Sequence, residues 1–516
     1  MPMFVPLLIA SQSRSMVSRS GFVNHDAAAL VWSSATELAA LLSKGAVSSR
    51  ALTEAYISRI QALDGPVNAV VVRCFDAARE RAAEADAALA RGRVWGPLHG
   101  VPITVKENND VKGLPTTLGN LAKINNIAAS NSLVVQRLLD AGAVLLGKTN
   151  LALDLNDVQS YNDVYGRTCN PHDISRTPGG SSGGSAAALA AGFTALELGG
   201  DIGGSIRTPA HCCGIFGHKA TLGAIPVTDR PSRQADIVVK GPLARSAEDL
   251  ELSMRLLARA AGPAARAWSL TLPESESTKL SHFRVAVWGD DPVCPVDSHV
   301  RAAIKRVVLC LRQAGCEVDE AARPDVDSVR AFRVYKQLLA SAENAGIPDV
   351  ELQRLVSKSK GTVLEEQTGW IAQTYNRWHD ADAERQVMRA AWEEFFTSFD
   401  VLVCPICCSI AWPHDHSGET DQPFWKIGER VIHGAEGHTT PYHDQVFWSG
   451  LTNICGNPST VFPAGFFTSN NGTRLPVGLQ IVGPEWGDLT TIAFAKALEV
   501  EAGFKFEACH DFRSML

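Results

Sequence analysis

Hydrophobic residues recur along this chain in two alternating patterns, one typical of amphipathic helices and one typical of buried strands. Near the N-terminus, "SSATELAALLSKGAVSS" combines leucines at helical spacing with a capping box of Ser34 and Glu37, and Gly45 can end the helix. "GVPITVKEN" predicts a short buried strand, and "SNSLVVQRLLDAGAVLLGKTN" predicts a helix, a glycine stop and a strand. This alternation predicts an α/β architecture.

The same reading extends over the rest of the chain. Helices are expected near residues 49–63, in "DAARERAAEADAALARG", over 245–262 and across most of 349–398. "FTALELGGDIGGSIRTPA" predicts a strand, a glycine turn and a helix that starts near Pro209. "FRVAVWG" and "FDVLVCPI" predict further strands, and "GLQIVGPEWGDLTTIAFAKALE" predicts a closing strand, loop and helix.

Composition narrows the class of protein. The 516 residues are 45% hydrophobic and 20% charged, and the net charge of −7 comes without a basic block, so nucleic acid is not an expected partner. No apolar run reaches the roughly 18–20 residues that would span a membrane. Twelve cysteines show no regular framework, which favours a reducing, cytoplasmic setting.

The first residues are expected to be a flexible extension. Residues 4–10 are apolar but short, and no basic segment precedes them, so a signal peptide is not favoured. Met16 is a second candidate start, which leaves open whether residues 1–15 belong to the native protein. We assign residues 1–33 to the extension and 34–516 to one domain.

The stretch "PGGSSGGSAAALAAG", residues 178–192, poses the main functional question. A linker would stay polar on both sides, but this stretch runs into a tight alanine helix. A phosphate loop would need a lysine after the last glycine, and none follows. The remaining interpretation is catalytic: Gly179 to Gly183 matches G-x-S-x-G, with Ser181 in the place of a nucleophile.

A second glycine turn competes with it. "GGDIGGSIRTPA" ends on Ser205, and the successive amides of residues 202–205 (Ile202, Gly203, Gly204 and Ser205) can converge on an oxyanion. Lys106 ends the apolar strand "GVPITV". Burial would lower its pKa, and a neutral lysine is a competent base for a serine. On the residues alone, Ser181 and Ser205 both remain candidate nucleophiles.

Taken together, "GVPITVKEN", "GLPTTLGN", "GAVLLGKTN", "NPHDISRTPGGSSGGSAAALAAG" and "GGDIGGSIRTPAHCCGIFGHKAT" resemble the amidase signature family. The resemblance covers roughly residues 34–262 and resumes more loosely at "FDVLVCP" and "NICGNPSTVFPAGF". It implies a single three-layer α/β/α domain around a large mixed β-sheet. The region near 265–395 resembles nothing specific, and we expect this mostly helical segment to shape the substrate pocket.

The resemblance also implies roles for the candidate residues. Ser205 corresponds to the nucleophile, and Ser181 to a bridging serine that follows a cis peptide bond, here Gly180–Ser181. Lys106 corresponds to the base, and the G-x-S-x-G match at Ser181 is then a coincidence of composition. The amides of 202–205 are implied to form the oxyanion hole. Supporting roles are expected for Ser182, Asp201 and Arg207.

The function implied is that of a serine amidohydrolase. It would cleave the C–N bond of a small carboxylic amide, anilide or carbamate through an acyl-enzyme, with no metal and no organic cofactor. Two alternatives stay open: a glutamine-hydrolysing subunit of an amidotransferase, and a non-catalytic relative on the same fold. By analogy, the first helices, residues 34–63, are candidates for a homodimer contact.

Two further groups of residues have a structural and a functional interpretation. Cys404 and Cys407, with His414 and His416 nearby, have part of a zinc-site pattern, but buried apolar thiols are favoured because the cysteines end an apolar strand. The loop at 433–448, with His433, His438 and His443, lines the substrate pocket or is a plain surface loop.

The tryptophans at 370, 378 and 392 are by default core residues of helices. Because they fall in the variable segment, we also consider that Trp370 and Trp378 line an apolar or aryl pocket.

Overall fold

A computed structural model describes residues 27–227, 236–344, 347–360, 365–417, 430–469 and 472–509. The strands in this part of the chain are β1 Val70–Arg73, β2 Pro102–Lys106, β3 Val144–Thr149, β4 Tyr161–Asn162, β5 Gly166–Arg167, β6 Glu197–Asp201, β7 Phe216–Lys219, β8 Val239–Ala244, β9 Arg284–Val287, β10 Glu317–Asp319, β11 Val401–Pro405, β12 Val431–His433, β13 Thr439–Pro441, β14 Ser459–Thr468 and β15 Arg474–Val482. The α-helices are α1 Ala35–Ser43, α2 Ser49–Val67, α3 Phe75–Ala90, α4 Leu133–Asp140, α5 Gly183–Ala190, α6 Arg207–Cys213, α7 Ala247–Leu257, α8 Ser298–Gln313, α9 Ser328–Glu343, α10 Asp349–Ser359, α11 Glu365–Ile371, α12 Tyr375–Ser398, α13 Phe447–Cys455 and α14 Asp488–Glu501.

The main sheet has eight described strands in the order β10-β9-β11-β15-β14-β7-β8-β6. It is mixed, because β9 pairs parallel with β10 and β11 while the remaining neighbours are antiparallel. A three-stranded sheet, β1-β3-β2, lies against the β6 edge, where the Thr104 amide donates to the Leu196 carbonyl at 3.3 Å. This is the single α/β domain around a large mixed sheet that the sequence predicted.

The alanine helix α5 lies in the centre of the molecule. Every residue from Gly183 to Ala190 is buried, and a Cβ placed on Gly184 would collide with the backbone of Asn150. Small side chains therefore let α5 pack directly against backbone, which explains the composition of "GGSAAALA". The helix carries the serine turn that precedes it into the core.

The predicted helix ends are largely confirmed. The Ser34 hydroxyl accepts from the Glu37 amide and the Glu37 carboxylate accepts from the Ser34 amide, so the capping box forms. Helix α2 runs on to Val67, past the predicted end at 63, with Pro66 in its last turn. Helix α6 starts at Arg207 rather than near Pro209, because proline is tolerated in the first turn of a helix, where its missing N–H has no helical partner.

The last residues of the segment assigned to the N-terminal extension pack against the domain. Residues 1–26 lie outside the described residues, whereas 27–33 pack on the domain. Val31 is buried and its carbonyl accepts from the Tyr56 hydroxyl at 3.1 Å, while the Arg59 guanidinium lies over the Trp32 ring. Burial of these apolar side chains against α2 holds the segment in place.

The variable segment is helical over most of its described part. Helix α9 packs against α11, α12 and α13 and forms one wall of the site described below. None of the helices in the described ranges is long and apolar enough to cross a membrane.

Candidate active site

Lys106 ends strand β2 with its amine pointing at a serine. Its side chain is almost fully buried, and Nζ lies 2.7 Å from the Ser181 hydroxyl. Burial lowers the pKa of Lys106 well below its usual value, and the nearby Lys240 lowers it further, against the opposing charges of Asp201 and Glu197. Burial therefore favours the neutral amine, which is the form that can accept a proton.

The two glycine turns that carry Ser181 and Ser205 are joined through their backbones. The Gly180–Ser181 peptide is cis, as the resemblance implied. A Cβ on Gly180 would lie 2.5 Å from the Gln159 amide nitrogen, so only glycine fits there. The Ser182 amide donates to the Ser205 carbonyl at 3.2 Å, which ties one turn to the other.

A buried ion pair holds the second turn. Arg207 donates to both oxygens of Asp201, at 3.0 Å and 2.9 Å, and both side chains are fully buried. Burial alone would raise the pKa of Asp201, but Arg207 and backbone donors lower it below its usual value. The remaining Arg207 donors bind Thr452, Gln480 and Asn453. Asp201 and Arg207 thus order the turn, in the positions where the sequence placed supporting residues.

The predicted oxyanion amides are not equivalent. The Gly204 amide donates to Asp201 at 2.9 Å, and Gly204 has a φ of +99°, which favours glycine. The Ile202 carbonyl accepts from the Tyr335 hydroxyl at 3.1 Å. The Ser182 hydroxyl is buried and has no hydrogen-bond partner among the described residues, so only its amide visibly supports the network.

A narrow cavity of about 50 Å³ opens on Ser205. One wall is the glycine turn, with Ile202, Gly203 and Ser205. The other wall is α9, which contributes Tyr335, Leu339 and Glu343. Helix α9 belongs to the variable segment, so part of that segment lines this cavity, and its role in shaping a substrate pocket stays a prediction.

Another part of the cavity wall contains an aspartate that is already hydrogen-bonded within the protein. Asp157 lines the cavity and accepts from the Tyr442 hydroxyl at 2.5 Å, from the Tyr161 hydroxyl at 3.0 Å and from Arg430 at 3.0 Å. His443 also lines the cavity, and burial, with Lys336 and Arg430 nearby, lowers its pKa to about 4. His443 is thus neutral at pH 7.

Several residues proposed from the sequence for the pocket lie elsewhere. His433 and His438 do not line the cavity at Ser205. Trp370 lines a different cavity, of about 700 Å³, to which α9 contributes Arg333 and Gln337. Trp378 stacks on Tyr375, and Trp392 packs in the core. The hypothesis that Trp370 and Trp378 line the substrate pocket therefore finds no support in the geometry.

The cysteines are thiols. None of the twelve, all of which lie in the described ranges, forms a disulfide, and Cys404 and Cys407 are buried, as predicted. Within the described residues there is no group of three or more His, Cys, Asp or Glu placed to hold a metal ion.

The lining residues that sequence reasoning missed include Asp157, Tyr335 and Glu343. Asp157 lies in a loop without a recognisable motif. Tyr335 and Glu343 lie on an amphipathic helix with the composition of an ordinary one, and only the fold places that helix over Ser205.

Comparison with known proteins agrees with the geometry. Residues 51–492 match the Amidase family. The chain is 30% identical to an indoleacetamide hydrolase of Bradyrhizobium diazoefficiens, over 92% of this chain and 87% of that protein. It is 32% identical to a subunit of the glutamyl-tRNA(Gln) amidotransferase of Deinococcus deserti, over 90% of this chain and 96% of that protein.

Among solved structures, a bacterial aryl acylamidase of the amidase signature family superposes with a TM-score of 0.75 at 25% identity, over 91% of this chain and 96% of that chain. The match to the Amidase family covers most of the chain and includes Lys106, Ser181 and Ser205. The chain therefore belongs to the amidase signature family and is a hydrolase that acts on amide bonds.

Proposed function

We propose that this chain is a serine amidohydrolase that forms an acyl-enzyme on Ser205, with Ser181 and Lys106 as the proton relay. The observation that carries the proposal is the 2.7 Å contact between the buried Lys106 amine and the Ser181 hydroxyl, in a turn tied to that of Ser205. A lysine kept neutral by burial is suited to take a proton from a serine hydroxyl.

The reaction has two stages, acylation of Ser205 and hydrolysis of the acyl-enzyme. Neutral Lys106 takes a proton from Ser181, which takes one from Ser205 as the Ser205 oxygen bonds to the amide carbonyl carbon. The tetrahedral intermediate then breaks its C–N bond, and the relay returns the proton to the leaving nitrogen. A water molecule, deprotonated by the same relay, attacks the ester and releases the acid and free Ser205.

The oxyanion is held by backbone amides of the second turn. Because the Gly204 amide is already bound to Asp201, we assign this role to the amides of Ile202, Gly203 and Ser205. The buried Asp201–Arg207 pair keeps these donors in place before the substrate binds, which is the preorganisation that stabilises developing charge.

The amidotransferase alternative is favoured by one finding, the 32% identity to an amidotransferase component. Such a component would use the same three side chains to release ammonia from glutamine for a partner protein. It would turn over poorly as an isolated chain, whereas a stand-alone amidase needs no partner.

The proposal is tested by turnover of the purified chain alone on simple amides, anilides and glutamine. We expect Ser205→Ala to lower kcat by about 10³–10⁶-fold, and Ser181→Ala and Lys106→Ala by about 10²–10⁴-fold. The matched controls are Ser253→Ala, at another fully buried serine, and Lys148→Met, at another buried lysine. Full activity of Ser205→Ala would overturn the proposal, and turnover of glutamine only with an added partner would favour the alternative.

A further inference from the structure

Glu343 carries a carboxyl group that the proposed mechanism does not use. It is the last residue of α9 and lines the cavity that opens on Ser205. Its Oε2 oxygen is buried and has no hydrogen-bond partner among the described residues. A buried polar atom without a partner costs free energy, so its presence beside a nucleophile needs an explanation.

Three other polar side chains that line the cavity already have hydrogen-bond partners within the protein. Asp157 is bound by Arg430 and two tyrosines. The Tyr335 hydroxyl donates to the Ile202 carbonyl, and the Tyr442 hydroxyl donates to Asp157. Within the described residues, Glu343 is the lining carboxyl for which the protein supplies no partner.

Among the described residues, no charged group shifts the pKa of Glu343. Burial raises its pKa to about 8, and no cation of the described residues offsets that effect. His443, which lines the same cavity, has its pKa lowered to about 4 by burial and is neutral, and the Asp157 charge is balanced by Arg430. A cation brought by a ligand would therefore meet an unopposed carboxyl group.

The shape of the cavity limits the ligand. Tyr335 touches the turn that carries Ser205, and the backbone of Glu343 lies eight residues further along α9, about 12 Å along the helix axis at the usual helical rise. Long side chains on a helix lean towards its N-terminus, so the Glu343 carboxyl group is expected to lie closer to the turn than this backbone spacing. The volume of about 50 Å³ holds only a few water molecules. Leu339 lines the cavity between the two positions. A slender aliphatic chain with a polar end fits this path.

We propose that Glu343 binds the terminal ammonium group of unbranched aliphatic amide substrates whose carbonyl lies at Ser205. The inference rests on the proposed amidase activity and names its substrate class. The ammonium would donate to the orphaned Oε2, and a charge-assisted hydrogen bond of this kind is among the stronger ones in proteins.

The test compares two anilides with equal numbers of non-hydrogen atoms, 5-aminopentanoyl and hexanoyl p-nitroanilide, hydrolysed by the full chain. We expect the wild type to prefer the amino substrate by about 10–100-fold in kcat/KM, and Glu343→Gln to abolish the preference while hydrolysis of the hexanoyl anilide stays within about threefold. The control Glu394→Gln removes an exposed carboxylate of α12 and should leave the preference intact.

Equal kcat/KM values for the two anilides in the wild type would overturn the inference, and so would a Glu343→Gln variant that keeps the preference. If neither anilide is cleaved, that result counts against the proposed amidase activity and not against the role of Glu343. Ligand binding measured by calorimetry then tests Glu343 independently of turnover. Ser205→Ala should then bind 5-aminopentanamide at least about tenfold more tightly than hexanamide, with the difference lost when Glu343→Gln is added. Equal binding of the two amides would overturn the inference.

Discussion

The two walls of the Ser205 cavity differ in whether their buried carboxyl groups have hydrogen-bond partners. In the glycine turn, Asp201 is bound by two Arg207 nitrogens and by the amides of Gly204 and Ile206. On α9, the buried Oε2 of Glu343 has no partner among the described residues. The difference teaches that a fully paired carboxylate orders the turn around Ser205, whereas the carboxyl group without a protein partner is the one that we propose to meet a ligand.

The largest expected effect comes from breaking the paired charge. Arg207→Met leaves Asp201 buried without its partner, and we expect a loss of about 3–5 kcal/mol in the free energy of unfolding, because an uncompensated buried charge is costly. Urea denaturation followed by fluorescence measures it. Activity should fall in parallel, since the same pair holds the oxyanion turn. A loss below about 1 kcal/mol would mean that the ion pair does not hold the turn.

Removal of the Glu343 carboxyl group, which has no partner for its Oε2 among the described residues, should stabilise the fold rather than destabilise it. Since burial raises the pKa of Glu343 to about 8, its ionisation destabilises the fold as the pH rises from the unfolded value of about 4.3 towards 8. Glu343→Gln should therefore be more stable than the wild type by up to about 5 kcal/mol at about pH 8.5, and equal to it at about pH 4. Calorimetric melting at both pH values checks this, and a variant less stable at the higher pH would show that Glu343 has a partner.

A smaller effect is expected at the contact between the walls. Tyr335→Phe removes the hydroxyl that donates to the Ile202 carbonyl, so the turn loses one hydrogen bond. We expect kcat to fall by about 2–10-fold with little change in KM, as one net hydrogen bond is worth about 0.5–1.5 kcal/mol. Steady-state kinetics on the hexanoyl anilide measure it. A rise in KM alone would assign Tyr335 to substrate binding instead.

The smallest effect is expected for Ser182. Its hydroxyl has no partner in the described structure, while its amide donates to Ser205 in any variant. Ser182→Ala should therefore change kcat by less than about threefold, because removing an unbonded buried hydroxyl loses no hydrogen bond. If Ser182→Ala is as damaging as Ser181→Ala, the Ser182 hydroxyl belongs to the relay.

The wall made by the glycine turns was predictable because its chemistry is local. The glycines and the serine of each turn lie within a few residues of one another, so both turns could be identified as candidate sites, whereas the choice of Ser205 over Ser181 as nucleophile came from the family resemblance. The charge of Lys106 at the end of an apolar strand was visible for the same reason.

The sequence predicted that the segment near 265–395 shapes the pocket, but it did not show that α9 forms this wall or which of its side chains face Ser205. Helix α9 is amphipathic, like most surface helices, and its place over Ser205 depends on packing against α11, α12 and α13, all of which follow it in the chain. The tryptophans of the same segment were more conspicuous than Glu343, yet Trp370 lines another cavity and Trp392 lies in the core. Which face of a helix meets the site is decided by tertiary contacts that the sequence pattern does not encode.

The most direct test of the central claim is to locate the reactive serine. The purified full chain is incubated with a fluorophosphonate probe, and the labelled peptide is identified by mass spectrometry beside Ser205→Ala, Ser181→Ala and Lys106→Ala. We predict a label on Ser205 in the wild type, lost in Ser205→Ala and slowed in the other two variants. A label on Ser181 that persists in Ser205→Ala would contradict this and make Ser181 the nucleophile.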